Sequence, residues 1–192
     1  SLHDALPIWA SLRNSYLHPT KNNITIIFDL ECGRENRSPT AYQAMNLEKL
    51  YQQTILEYSS RKDLKREIES PTYIERGHNP NCGDDLTLEI KLNSDNIIED
   101  AAFLGNGCAI SSASTAMLID LIKGKSIEEA KEKTDIFFKM MGQKEKLNSD
   151  EMKKLGDAVL MEYVANMPAR IKCATLSWHS LKVIIDKNEE SK

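Results

Sequence analysis

The 192-residue chain lacks several things that would have settled its class at once. It has no apolar run of the length a membrane-spanning helix needs, so no span is expected. It has no excess of basic residues: 25 Lys and Arg stand against 29 Asp and Glu, for a net charge of −4 and a pI near 5.6. That balance gives no electrostatic support for nucleic acid or an anionic membrane as the main partner. There is no glycine-rich phosphate loop and no nucleophile elbow. Cysteine is scarce, with four residues at wide spacing and no Cys-x-x-Cys pair, which excludes a small secreted disulfide scaffold. In a reducing cytoplasm, the expected location, such residues stay as thiols.

What is present is ordinary globular composition, 41% hydrophobic and 28% charged, enough for one compact domain and some extra material. The first methionine is Met45. Residues 1–44 read in two ways. They are a genuine extension, with Asn23–Phe28 as a short strand, or sequence translated upstream of a start at Met45. The segment has no signal-peptide layout. The second reading is preferred. It sets domain limits of 1–44, 45–187 and a frayed 188–192 tail, and it makes Cys32 irrelevant to function.

From Met45 the pattern becomes regular. Leu47, Leu50, Tyr51, Thr54, Ile55 and Tyr58 recur at helical spacing and predict a helix over 46–60. Arg61–Glu67 reads as a solvated charged connection. Residues 71–84, with two prolines and two glycines, read as irregular with at most a short strand. Leu86, Leu88, Ile90 and Leu92 alternate with polar residues, and with 97–104 they predict a hairpin across the turn at 93–96. A helix from Cys108 to about Lys123 stops at Gly124. Ser126 and Glu129 resemble a capping box at the head of a helix over 126–141. Residues 142–156 read as loop, 157–164 as a short helix, and 169–187 as the last helix. The expected architecture is α+β: a small antiparallel sheet packed on one side by several helices.

Three cysteines stand in suggestive surroundings. Cys82 lies in a loop of turn formers, with Gly83 behind it and Asp84 two residues on. Cys108 follows Gly107 at a helix start, where unpaired N–H groups and the helix dipole favour a thiolate. Cys173 lies near the start of the last helix, with Arg170 and Lys172 nearby. Three thiolates and one carboxylate suit tetrahedral zinc, and an iron–sulfur cluster accepts similar ligands. Against this stands the plain alternative that free cysteines are small core residues. Other candidates have simpler explanations. His78 reads as a loop histidine and His179 as a surface one. The Phe137-Phe138-Lys139-Met140-Met141 run reads as core, with a docking patch as the alternative. Asp84 and Asp85 are not an acid–base pair, because adjacent strand residues point to opposite faces.

Three segments carry a family resemblance: Asn79-Pro-Asn-Cys82-Gly-Asp84, Gly105-Asn-Gly-Cys108-Ala-Ile-Ser111, and Pro168-Ala-Arg-Ile-Lys-Cys173-Ala-Thr-Leu-Ser-Trp178. Over 45–187 the chain resembles the U-type iron–sulfur assembly proteins, and within them the SufU branch. The scaffold branch has histidine directly before its third cysteine, where this chain has Lys172. The SufU branch also carries extra helical sequence between the second and third cysteines. The resemblance implies a zinc-dependent sulfurtransferase, with zinc held at Cys82, Asp84, Cys108 and Cys173. It makes Cys82 the sulfur acceptor and leaves Arg170 to stabilise the thiolate or a partner contact. The implied donor is a SufS-type cysteine desulfurase, one of whose histidines takes the place of Cys82 on the metal when the proteins dock. The implied recipient is the SufBCD assembly complex. The alternative within the family is a scaffold on which an iron–sulfur cluster is built.

Overall fold

A computed structural model describes residues 41–143 and 145–191, with side chains described from residue 48. The expectations for 1–40, including Cys32 and the 23–28 strand, lie outside the described residues. Helix α1, Ala41–Ser59, begins upstream of Met45. It buries Tyr51 and Ile55 and ends in a turn where the Tyr58 hydroxyl donates to Asp157 Oδ2 at 2.7 Å.

Three strands form one antiparallel sheet in the order β1-β2-β3: β1 Tyr73–Asn79, β2 Asp84–Leu92 and β3 Ile98–Asn106. The β2–β3 hairpin is the predicted one, with a register irregularity at Lys91/Leu92. Strand β1 is the short strand allowed for within 71–84, and it fills half of a stretch otherwise read as irregular. Its registers run from Tyr73 opposite Ile90 to Asn79 opposite Asp84. Its pattern is weak in the sequence because Gly77 and Asn79, both buried, occupy its inner face in place of apolar residues. The 61–67 connection is also more than a solvated run. Leu64 is 6% exposed, its carbonyl accepts from Phe103 N, and Lys65 makes a parallel bridge to Phe103 along the outer edge of β3.

Helix α2, Ala109–Ile122, forms the centre of the described core. Its Ala113, Ala116, Met117, Leu118, Ile119 and Ile122 are each at most 1% exposed. Burial of side chains of this size is worth about 1.5–3 kcal/mol each for the larger ones. Helix α3, Ile127–Gly142, starts at the expected capping box, with Ser126 and Glu129 each accepting the other's backbone N–H. Helix α4, Ser149–Leu155, corrects the loop reading of 142–156. Asn148 and Glu151 form a second capping box there. Residues Gly156–Val164 form a 3-10 helix.

Helix α5, Pro168–Glu190, has proline in its first turn, where a missing N–H costs nothing. It is longer than predicted and takes in residues 188–190 of the tail expected to fray. Asn188 is 6% exposed and its amide donates to the Tyr73 hydroxyl, fastening the helix end to β1. Trp178 stacks flat on Phe137 at 3.7 Å between centroids and donates its indole N–H to Ser114 Oγ. The Phe137–Met141 run is therefore mainly core, as read from sequence. Helix α5 rests directly on β1 at Gly77. A Cβ there would sit 2.9 Å from Ser180 Oγ and 3.0 Å from Leu176 Cγ. This close approach brings Cys173 up to the end of β1 and so assembles the site.

Candidate metal centre

The site forms where the β1–β2 turn, the head of α2 and the first turns of α5 meet. The turn is closed by Cys82 N donating to Asn79 O at 3.3 Å. Gly83 has φ +71°, a conformation that side chains resist, and a Cβ there would touch no protein atom within 4 Å. The glycine is thus required by backbone conformation rather than by crowding. The turn leaves Cys82 exposed.

Asp84, the first residue of β2, is 0% exposed. Its Oδ1 accepts from Cys108 N at 2.7 Å and Ser111 Oγ at 3.0 Å, and its Oδ2 from Asn79 Nδ2 at 3.0 Å. Burial is the largest single influence and opposes ionisation. The bond from Cys108 N and those involving Cys173, Asn79 and Ser111 outweigh it and hold the carboxyl below its ordinary range. Asp85, its neighbour, faces the other way and pairs with Arg76, as the alternation of a strand requires.

Cys173 is 2% exposed, and its Sγ lies 3.1 Å from Cys82 Sγ. The two are free thiols. Asn79 Nδ2 donates to Cys173 Sγ as well, at 3.4 Å. Burial, then Cys82, Asp84 and Cys108, push the Cys173 thiol well above its ordinary range. The positive charges that adjoin Cys173 in sequence therefore do not set its surroundings. Lys172 and Arg170 are exposed while Cys173 points inward, because successive side chains on a helix fan out around its axis.

Cys108 is the N-cap of α2, and its Sγ accepts from Ser111 N at 3.4 Å. It adjoins the cluster without joining its tightest part. The ligand atoms of Cys82, Asp84 and Cys173 all lie within 4.8 Å of one another. Arg170 makes no hydrogen bond or ion pair to these residues among the described ones. Its guanidinium donates to Met167 Sδ at 3.6 Å, and its charge acts on Tyr51. His78 and His179 also stand outside the cluster. His179 is exposed, with its ring 4.6 Å from that of Phe138.

Asn79 and Ser111 are further candidate site residues that the motif reading passed over. Both occur inside quoted motifs, and their signal is that they are polar yet buried at 4% and 1%. They orient the carboxylate, as outer partners of metal ligands do.

The donor set fits a metal ion. It offers two sulfurs, a fixed carboxylate and a third sulfur one step away. A tetrahedral zinc separates two thiolates by about 3.8 Å, so the pair at 3.1 Å needs only a small opening.

A model of the family described as NifU-like N terminal domain matches residues 50–174. The chain belongs to this family. The NifU-like domain is 42% identical over 144 residues to the zinc-dependent sulfurtransferase SufU of Bacillus subtilis, covering 75% of this chain and 95% of the relative. It is 40% identical over 142 residues to the iron–sulfur cluster assembly scaffold protein IscU of Streptococcus pyogenes, covering 74% and 86%. Its fold matches a crystal structure described as a SUF-system cluster assembly scaffold protein, FiSufU, from Fervidobacterium islandicum AW-1. That match has a TM-score of 0.64 at 34% identity and covers 71% of this chain and 96% of that one. A NifU-like N-terminal structure from Brucella abortus, at 20% identity and the same TM-score, shares the fold. No described helix of the NifU-like domain is long and apolar enough to cross a membrane.

Proposed function

We propose that this NifU-like domain acts in iron–sulfur cluster assembly as a zinc-dependent sulfurtransferase, taking persulfide sulfur from a SufS-type cysteine desulfurase onto Cys82. The observation that carries the reading is the contrast at the site: an exposed thiol on a turn stands 3.1 Å from a buried thiol and next to a buried carboxylate. Cys82, Asp84, Cys173 and the adjoining Cys108 would hold the ion. Bound zinc keeps its thiolates deprotonated and unreactive until one is released.

The rest is done by the chain. Asn79 and Ser111 hold Asp84 in place while the turn moves. The Cys82 thiolate attacks the terminal sulfur of the donor's persulfide. A new S–S bond forms on Cys82 Sγ, the bond to the donor's own sulfur breaks, and the donor cysteine leaves as thiolate. Sulfane sulfur moves without net oxidation. Delivery then runs towards a SufBCD-type assembly complex. Arg170, exposed beside the α5 start, is assigned to the contact with the protein partner.

A second reading, a scaffold on which the cluster is assembled, is favoured by the IscU-named relatives. Lys172, where scaffold proteins carry histidine, argues against it. Metal analysis of the chain purified without added metal separates the two. About one zinc per chain and no iron–sulfur absorbance is the expected result. Brown protein with iron and acid-labile sulfide would replace the sulfurtransferase reading with the scaffold one.

A further inference from the structure

One cleft of the molecule is left unused by this mechanism. It measures about 260 Å³ and lies between the β1–β2 turn and α5, walled by His78, Asn79, Asn81, Lys172, Leu176 and His179. Its position is informative. Asn81 directly precedes Cys82, Lys172 directly precedes Cys173, and the Asn79 amide that forms part of the wall also donates to Cys173 Sγ at 3.4 Å. The Asn79 side chain thus borders the cleft and also touches the Cys173 sulfur.

The chemistry of the wall is one-sided. Every ionisable side chain lining the cleft is a base, His78, Lys172 or His179, in a chain whose net charge is −4. Of the two acids on the facing strand, Asp84 is buried behind the wall and takes up the Asn79 amide at 3.0 Å, and Asp85 is engaged by Arg76 through two hydrogen bonds. No carboxylate pairs with Lys172 among the described residues. The Leu176 side chain supplies an apolar floor, and the Asn81 amide supplies a donor and an acceptor. The volume falls below the range of drug-sized ligands. A cation at the rim, an apolar floor and small size together select a short molecule with an anionic head.

We propose that this cleft binds a small carboxylate-bearing thiol, which takes sulfane sulfur from Cys82 as a second acceptor beside the assembly complex. The inference rests on the reading that Cys82 carries a persulfide. Lys172 and the imidazoles hold the carboxylate, and the acceptor's sulfur reaches over Asn81 to the turn. The acceptor thiolate attacks the terminal sulfur of the Cys82 persulfide. The new bond joins acceptor sulfur to the transferred sulfur, which keeps its proton. The bond to Cys82 Sγ breaks, and its electron pair leaves on Cys82 as thiolate. No oxidant or reductant enters.

Two measurements on the zinc-loaded full chain test it. The first is an NMR titration of the His78 and His179 ring resonances with 3-(methylthio)propionate, which has the anionic head and no reactive thiol. Saturable shifts of both rings are expected, and none with neutral 2-(methylthio)ethanol. Lys172→Gln should weaken binding about two- to fivefold, the worth of one exposed charged contact. His179→Ala, away from the ligands, should weaken it less, since partial burial and then Lys182 hold that imidazole towards its neutral form and it offers a hydrogen bond rather than a charge. The second measurement starts from Cys82 persulfide. The ratio of transfer rates to 3-mercaptopropionate and 2-mercaptoethanol should exceed the ratio in Lys172→Gln by the same factor, with zinc content unchanged. Absent shifts, or a ratio that Lys172→Gln leaves unaltered, would overturn the proposal. Binding of the thioether without any persulfide forming on Cys82 would overturn the sulfurtransferase reading, and the acceptor role with it, while leaving the anion site in place.

Discussion

The β1–β2 turn and the inner face of α5 each contribute a sulfur to the same spot and treat it in opposite ways. On the turn, Cys82 is exposed and held by one backbone hydrogen bond behind a left-handed glycine. On α5, Cys173 is buried, bonded to Asn79, and backed one helical turn and a residue later by the Trp178–Phe137 stack. On the proposed function, the exposed sulfur is the one that moves and the buried sulfur the one that stays. A site that must release one ligand and keep its metal needs that asymmetry. An all-buried or all-exposed set would do only half of the task.

The harshest way to break the comparison is from the fixed side. Trp178→Ala should cost about 3–5 kcal/mol, the range for a large aromatic lost from a core, and should lose metal with the fold. Urea unfolding and metal analysis read both. Asp84→Ala comes next. It strands the buried donors of Asn79, Cys108 and Ser111. A loss of about 2–3 kcal/mol is expected in the metal-free chain, along with loss of the ion. Gly77→Ala acts through geometry alone. Its Cβ would press on Ser180 and Leu176 and push α5 off β1. Overpacking of this kind costs about 1–3 kcal/mol. Metal affinity should fall, although no ligand is altered.

The pH dependence sharpens the same contrast. Burial raises the Cys173 thiol in the folded, metal-free chain. A group raised on folding contributes stability that is complete below its unfolded pKa, about 8.5 for cysteine, and is lost as pH rises beyond it. Metal-free protein should therefore weaken above about pH 8.5, and Cys173→Ala should abolish that part of the decline. The mildest substitution is on the mobile side. Cys82→Ser should change metal-free stability by no more than about 0.5 kcal/mol, as exposed positions do, yet remove sulfur acceptance entirely.

The same contrast explains what could be read from sequence. The β2–β3 hairpin and α2 announce themselves because their buried faces are apolar, and α3 because its capping box is a local signal. Strand β1 did not, since α5 approaches so closely that only glycine fits at Gly77 and only a hydrogen-bonding amide serves at Asn79. Helix α4 was legible in principle from Asn148 and Glu151, but its polar composition masked it. In the site, Cys82 and Asp84 are two residues apart and could be paired on paper. Cys173 reaches them only through tertiary packing; the suitability of three thiolates and one carboxylate for a metal suggested grouping it with them, and the resemblance of three motifs strengthened that grouping. The surroundings of Cys173 were misread for the same reason. The charges of Arg170 and Lys172 adjoin it in sequence and point elsewhere on the helix.

The measurement that tests the central claim most directly is mass spectrometry of the zinc-loaded chain after incubation with a SufS-type cysteine desulfurase and cysteine, compared with Cys82→Ser carrying a verified fold. The account predicts one added sulfur on the peptide containing Cys82, and none anywhere in the variant. Sulfur appearing on Cys108 or Cys173, or undiminished labelling in Cys82→Ser, would contradict it.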